Sequence, residues 1–282
     1  MCYNDTMNTE KRVKYYSKIQ QFCLMDDEFM TVFFDNEPEC TAYVLQIILD
    51  KPDLRVTEVQ SQYNLGNLYG RSGRLDVKAT DTEGKLYDIE IQRADKGAGA
   101  KRARFNSALL DTRHLKTGQD TEKLPETYVI FITENDVLGA DKAVYHIDRI
   151  VAETDNPFGD MAHIVYVNNH YRGNDPIGTL MHDFACRNTA EMKNGILAAR
   201  AKMIKTDDDK VEKMSYIVEE LVKEEREDAL KTGRTEGRIE TAIQLLRQGI
   251  MSEERVQDFF HFTPEQMAVV KGQSEGINIA NI

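Results

Sequence analysis

The sequence predicts an α/β domain, built as a mixed β-sheet flanked by helices, with a helical appendage at its C-terminal end. Three observations carry this. First, residues 74–94, RLDVKATDTEGKLYDIEIQRA, read as two alternating runs around a turn that contains Asp81 and Gly84, the pattern of a β-hairpin. Second, the uninterrupted apolar run YVIFIT at 128–133 suits a fully buried strand, and the helical stretch before it makes the connection a crossover. Third, beyond about residue 200 the composition shifts to charged helix.

Each element follows in order. Residues 1–25 form a polar, tyrosine-containing arm with a weak helical pattern from Val13 to Phe22. From Asp26 the α/β pattern starts. Pro38 and Glu39 open a helix over Cys40–Leu49, whose Val44, Leu45, Ile47, Ile48 and Leu49 suit burial, and Pro52 follows its end. A strand is expected at Leu54–Tyr63, then the hairpin, then a helix within residues 96–118 that Gly118 ends. Short strands at Ala143–Ile147 and His163–Val167 complete the sheet, and Pro176 starts a helix near Ile177–Cys186. The organisation expected is an arm at 1–25, the main domain at 26–200 and a separable tail at 201–282.

The tail carries EELVKEEREDAL, then the glycine-interrupted KTGRTEGRIETAIQLLRQG. Thr263, Pro264 and Gln266 have the spacing of a capped helix start. With Ile239–Arg247 and Glu253–Phe260 this makes three short helices in the manner of a helix-turn-helix. PEQMAVVK offers little base-reading chemistry, so docking or homo-oligomerisation through these helices is the favoured reading over DNA readout. The G-x-x-x-G of Gly233 and Gly237 lies among charges that exclude a membrane motif.

Composition narrows the function classes. The chain has 282 residues, 41% hydrophobic and 30% charged, enough for one good core and an appendage. No stretch approaches the ~20 apolar residues that cross a bilayer, and the first residues lack an apolar signal core, so a cytoplasmic protein with no membrane partner is expected. Cys2, Cys23, Cys40 and Cys186 have neither zinc nor disulfide spacing. A net charge of -12 argues against coating DNA by bulk electrostatics, so any nucleic-acid role needs a local basic patch.

The chemistry concentrates in the hairpin. If Asp76 lies opposite Glu90, then Val77 faces Ile89, Leu75 faces Ile91, and Lys78 faces Asp88 on the polar side. Asp76, Glu90 and Gln92 then project together, and two neighbouring carboxylates are hard oxygen ligands suited to Mg²⁺ or Mn²⁺. From the hairpin alone a second reading stands equally: a solvated face neutralised by Arg74 and Lys78.

The order helix, strand, hairpin with Asp then Glu-x-Gln, basic helix, buried strand is similar to the core of the PD-(D/E)xK nuclease superfamily. Within it, the chain resembles the recombination-promoting nucleases (Rpn), also described as PD-(D/E)xK family transposases. FFDNEPECTAYVLQIIL, the long hairpin block at residues 70–111, LPETYVIFITENDVLG, YHIDR, HIVYVNN and LMHDF carry the resemblance, over roughly residues 28–185. It implies a restriction-endonuclease-like fold, a Mg²⁺-dependent or Mn²⁺-dependent endonuclease acting on DNA, and a link to recombination or mobile elements. By position, Asp76 matches the first metal carboxylate and Glu90 the acid of the (D/E)xK element, joined by the carbonyl of Ile91. Gln92 stands where lysine would, and can orient a water without supplying charge. Glu39, at a helix start, is the expected third ligand, with Glu37 and Asp35 as alternatives. The runner-up function is a catalytically silent nucleic-acid-binding or protein-interaction module that retains the fold.

The helix after the hairpin carries Lys96, Lys101, Arg102, Arg104 and Arg113, of which Lys101, Arg102 and Arg104 are the preferred DNA contacts. Gly97 and Gly99 allow either close approach of a phosphate or simply a loop into the helix. Ser72, His114, His146, His163 and His182 show no catalytic or ligand spacing and receive no role.

Overall fold

The computed structural model describes residues 13–65, 73–93, 97–115 and 118–274. They divide into two compact units, 1–218 and 219–282.

The first unit opens with a helix over 13–20 (α1), whose Tyr15 and Ile19 enter the core. A helix not foreseen follows, Asp27–Phe34 (α2), which buries Phe29, Met30, Val32, Phe33 and Phe34. Next is Pro38–Leu49 (α3), with Pro38 in its first turn and Asp50 closing it in the left-handed conformation. The strands are Val56–Leu65 (β1), Gly73–Asp81 (β2), Leu86–Gln92 (β3), Thr127–Thr133 (β4), Val144–Ile147 (β5), Ile150–Val151 (β6), Asn156–Pro157 (β7) and Ala162–Asn168 (β8). The helices that complete this unit are Ala100–His114 (α4), Pro176–Ala185 (α5), Gly195–Thr206 (α6) and the start of Asp208–Arg247 (α7).

Six strands form one mixed sheet in the order β1-β2-β3-β4-β8-β5, and β6 and β7 make a separate short pair. β1, β2 and β3 are antiparallel neighbours, whereas β3, β4 and β8 run parallel. The α4 crossover between β3 and β4 is therefore as expected. It ends at His114, short of Gly118, and Leu115 takes the capping position.

Two apolar clusters sandwich the sheet. The larger lies between the sheet and the helices α1, α2, α3, α5, α6 and early α7, and includes Val77, Tyr87, Ile89, Ile91, Ile130 and Ile132. The smaller lies under α4 and holds Leu75, Ala103, Leu109, Leu110, Val129 and Phe131. Leu197, Ala201, Ile204, Val211, Met214 and Val218 all join the larger cluster, so the core of this unit runs to Val218.

The hairpin register is that expected, with Val77 opposite Ile89 and Lys78 opposite Asp88. Two features differ from the sequence reading. The face bearing Asp88 and Glu90 is not solvated, because α4 covers it and leaves both at 0% exposure. Leu75 also parts company with Ile91: it joins the cluster under α4 while Ile91 stays with the other. The switch coincides with Gln62 in the adjacent strand β1, at φ 52. There Ser61 and Gln62 both bond toward α2, through Asp35 and through Asp27 and Thr31, and Tyr63 already packs on the α4 side. One left-handed residue in a strand interrupts alternation, as a bulge does.

In the second unit α7 continues without a break through Gly233 and Gly237, so the glycines do not interrupt it. It is followed by Glu253–Phe260 (α8) and Pro264–Ser274 (α9) around Ala242, Ile243, Val256, Phe262, Met267 and Val270. The start of α9 is reciprocally capped: Thr263 N–H donates to Gln266 Oε1 at 3.0 Å and Gln266 N–H to Thr263 Oγ1 at 3.3 Å.

Candidate metal centre

Strand β3 ends at Gln92, and α4 begins a few residues later across its face. Parallel pairing with β4 forces this crossover, and the carboxyl end of such strands is where α/β sheets leave room for ligands. Asp76 reaches the same place from β2, where the ladder with β3 stops at Val77–Ile89. Its Oδ2 accepts the main-chain N–H of Ile91 at 3.0 Å and the amide of Gln92 at 3.4 Å. Asp76 N–H donates in turn to Glu90 Oε1 at 3.4 Å. Glu90 Oε2 takes Gln92 Nε2 at 3.5 Å and an ion pair with Arg102 from the first turn of α4. Arg102 also donates to Gln92 Oε1 at 3.3 Å and to the carbonyl of Gly97 at 3.1 Å.

Burial without a full complement of cations sets the electrostatics. Asp76 is pushed up to about 7, first by burial and then by the Glu90 carboxylate, with Asp27 of α2 acting in the same direction. Glu90 is raised by burial, against which Arg102 pulls hardest. Asp88, next on the same face, is raised well above the ordinary value by burial and by Glu90. Its Oδ2 accepts from Asn106 of α4 at 2.9 Å, while Oδ1 is buried without a donor.

Two adjacent buried carboxylates with one guanidinium between them and solvent form a site that a divalent cation fits chemically: hard oxygen donors, excess negative charge and a neutral amide beside them. Among the described residues no group of three His, Cys, Asp or Glu side chains is arranged to hold a metal, so the donor set rests on this pair. The structure does not bring Glu39 to it. Glu39 is exposed and lines a separate cleft with Tyr43, Gln46, Arg55 and Ile196. Asp35 is tied to Ser61 and Lys213, and Glu37 pairs with Arg200. Asp27 in the first turn of α2, which the sequence reading passed over, adds its charge to the upward shift of Asp76 while its carboxylate accepts from Gln62 at 3.0 Å.

Of the basic residues, Lys101 and Arg104 are exposed on α4, and Arg102 is turned inward to Glu90. Lys96 and Ser72 lie outside the described residues, as do the side chains of Arg74 and Arg113. Gly97 and Gly99 differ: a side-chain carbon on Gly97 would overlap the Gln92 amide, while Gly99 faces open space. The histidines sit apart from the centre, His163 with Asp148 and His182 with Asp183.

A family model described as "PD-(D/E)XK nuclease family transposase" matches residues 25–170. Comparison with curated proteins and with solved structures found no match. No described helix is long and apolar enough to cross a membrane.

Proposed function

On the premise that the chain belongs to the PD-(D/E)XK nuclease family of transposases, we propose that it is a Mg²⁺-dependent or Mn²⁺-dependent endonuclease that hydrolyses DNA phosphodiesters, with Asp76 and Glu90 as its metal carboxylates. The observation that carries this is the single hydrogen-bonded chain joining Asp76, Glu90, Gln92 and Arg102 at the carboxyl end of β3. The carbonyl of Ile91 completes the donor set on this reading. Glu39, in its own cleft, takes no part.

Asp76 and Glu90 would hold the divalent ion, whose chemistry there would be to polarise the scissile phosphate and lower the pKa of a water. Gln92 holds the attacking water through a neutral donor and acceptor, where a lysine would add a charge. Basic residues crowd the start of α4, which has no acidic residue in its first turn and no side-chain cap. Cations are disfavoured at a helix N-terminus, and an anion there relieves both the dipole and the clustered charge. Lys101, Arg102 and Arg104 are accordingly the phosphate contacts.

The test is nicking of supercoiled plasmid with Mg²⁺ or Mn²⁺, by the parent and by Asp76→Asn. Metal-dependent nicking by the parent that the variant lacks is the expected result. Duplex binding with no nicking in either metal would instead favour a silent module, the reading that Gln92 in place of lysine keeps in view.

A further inference from the structure

We propose that Arg102 is a built-in counter-cation of the metal centre, which a divalent ion and a DNA phosphate displace together, so that metal and DNA binding are coupled through this one side chain. The inference rests on the two-carboxylate reading above and adds a mechanism of coupling to it.

Both Glu90 oxygens are engaged: Oε1 receives the Asp76 N–H, and Oε2 receives both Arg102 and Gln92. An ion that takes Oε2 therefore competes with the guanidinium for its lone pairs. The other arm of the fork holds Gln92 Oε1 and the Gly97 carbonyl, so Arg102 also occupies the amide face toward which a water would be oriented. Glu90 is fully buried whereas the Arg102 side chain is 39% exposed, so the cation stands at the mouth of the site.

A released guanidinium has a poor destination in the protein alone. It would return to the first turn of α4, beside exposed Lys101 and close to Arg104, where no acidic residue waits. Like charges and the helix dipole both oppose that position. A phosphate arriving at the same turn reverses the balance, because guanidinium forks match phosphate oxygens. Metal entry thus frees the group that DNA needs, and DNA captures the group that metal must expel. Linkage makes the effect reciprocal.

The experiment titrates Mn²⁺ into the full chain without DNA, by calorimetry, for the parent, Arg102→Gln, Arg102→Lys and Asp76→Asn. A second arm measures binding of an uncleavable phosphorothioate duplex by fluorescence anisotropy, with and without Mn²⁺. Arg102→Gln should bind Mn²⁺ roughly tenfold more tightly than the parent, within the usual range of coupling factors. Arg102→Lys, which keeps a charge but cannot fork over Glu90 and Gln92 at once, should fall between them. Mn²⁺ should tighten duplex binding more in the parent than in Arg102→Gln. Circular dichroism melts confirm that each variant is folded, and Arg102→Lys decides the matter if Arg102→Gln is not. Equal or weaker Mn²⁺ binding by both Arg102 variants overturns the proposal while leaving the metal site intact, provided Asp76→Asn has lost binding. Undiminished Mn²⁺ binding by Asp76→Asn overturns the underlying reading, and the proposal with it.

Discussion

Asp76 and Glu90 are tied across the hairpin by the Asp76 N–H, which donates to Glu90 Oε1 at 3.4 Å, so their carboxylates meet in a buried setting. The consequence is a folded state that resists ionising Asp76. Its pKa stands near 7 against an ordinary 3.8, so the folded chain holds the proton longer than the unfolded chain, and stability falls as pH rises through that interval. Asp76→Asn keeps an oxygen for the Ile91 N–H and removes the charge. The variant should melt above the parent at pH 8 without metal and show no such gain at pH 5. Mn²⁺ at pH 8 should raise the parent's melting temperature and leave the variant's unchanged. A variant less stable than the parent at pH 8 would show that the charge is not the cost.

Gln92 gives a kinetic test. Its amide touches Asp76, Glu90 and Arg102, yet neither carboxylate depends on it as sole partner. Gln92→Ala should therefore retain Mn²⁺ binding and lose roughly 10²-fold to 10³-fold in single-turnover cleavage, the scale of one positioned donor. Cleavage at the parent rate would reduce the side chain to a structural role.

Lys101 and Arg104 separate affinity from chemistry, because both are exposed on α4 while Arg102 is engaged with Glu90. The double alanine variant should weaken binding similarly for unrelated duplexes. It should also flatten the salt dependence by about 0.9 in log–log slope for each phosphate that is no longer neutralised. An unchanged slope would place the binding surface elsewhere.

Gly233 and Gly237 are exposed within α7, and neither has a neighbour where a side chain would go. Changing either to alanine should stabilise the second unit by about 1 kcal/mol, seen as a higher melting temperature of that unit. No gain would mean that this stretch is not helical in solution.

Those glycines also show what the sequence conveys. Local rules were legible where the cause is local: Pro38 at the start of α3, the hairpin register, and the Thr263–Gln266 cap all follow from neighbouring residues. What escaped depends on distant packing. The helix α2 has only eight residues, too short a run for its one-sided placement of Asp27, Glu28 and Thr31 to stand out as a helical period, and its identity comes from burial between sheet and α6. Burial of Asp88 and Glu90 depends on where α4 lands, which no alternation in the hairpin reveals. Asp27 accepts from Gln62 and raises Asp76 by its charge, a proximity that no spacing in the sequence marks. Glu39, favoured by its place at a helix start, sits where the helix dipole alone accounts for it.

Gly97 supplies the last prediction, and it tests whether the close approach at this loop matters. A methyl group on Gly97 would overlap Gln92 Oε1 and lie 3.5 Å from Arg102 Nη1. The obstructed atom is the end of a flexible side chain, so the chain can fold by moving the Gln92 amide aside. Gly97→Ala should accordingly melt near the parent and cleave more slowly, approaching the rate of Gln92→Ala. Gly99→Ala meets open space and changes only the residue preceding α4, at a cost under about 1 kcal/mol, so its rate should stay near the parent's. The double variant Gly97→Ala/Gln92→Ala is the decisive comparison. If the glycine acts by making room for the amide, the second change adds nothing to the loss from Gln92→Ala alone, as expected for residues that work as one unit. Additive losses would mean instead that Gly97 serves the backbone path into α4 or the approach of the phosphate itself, independently of the amide it borders.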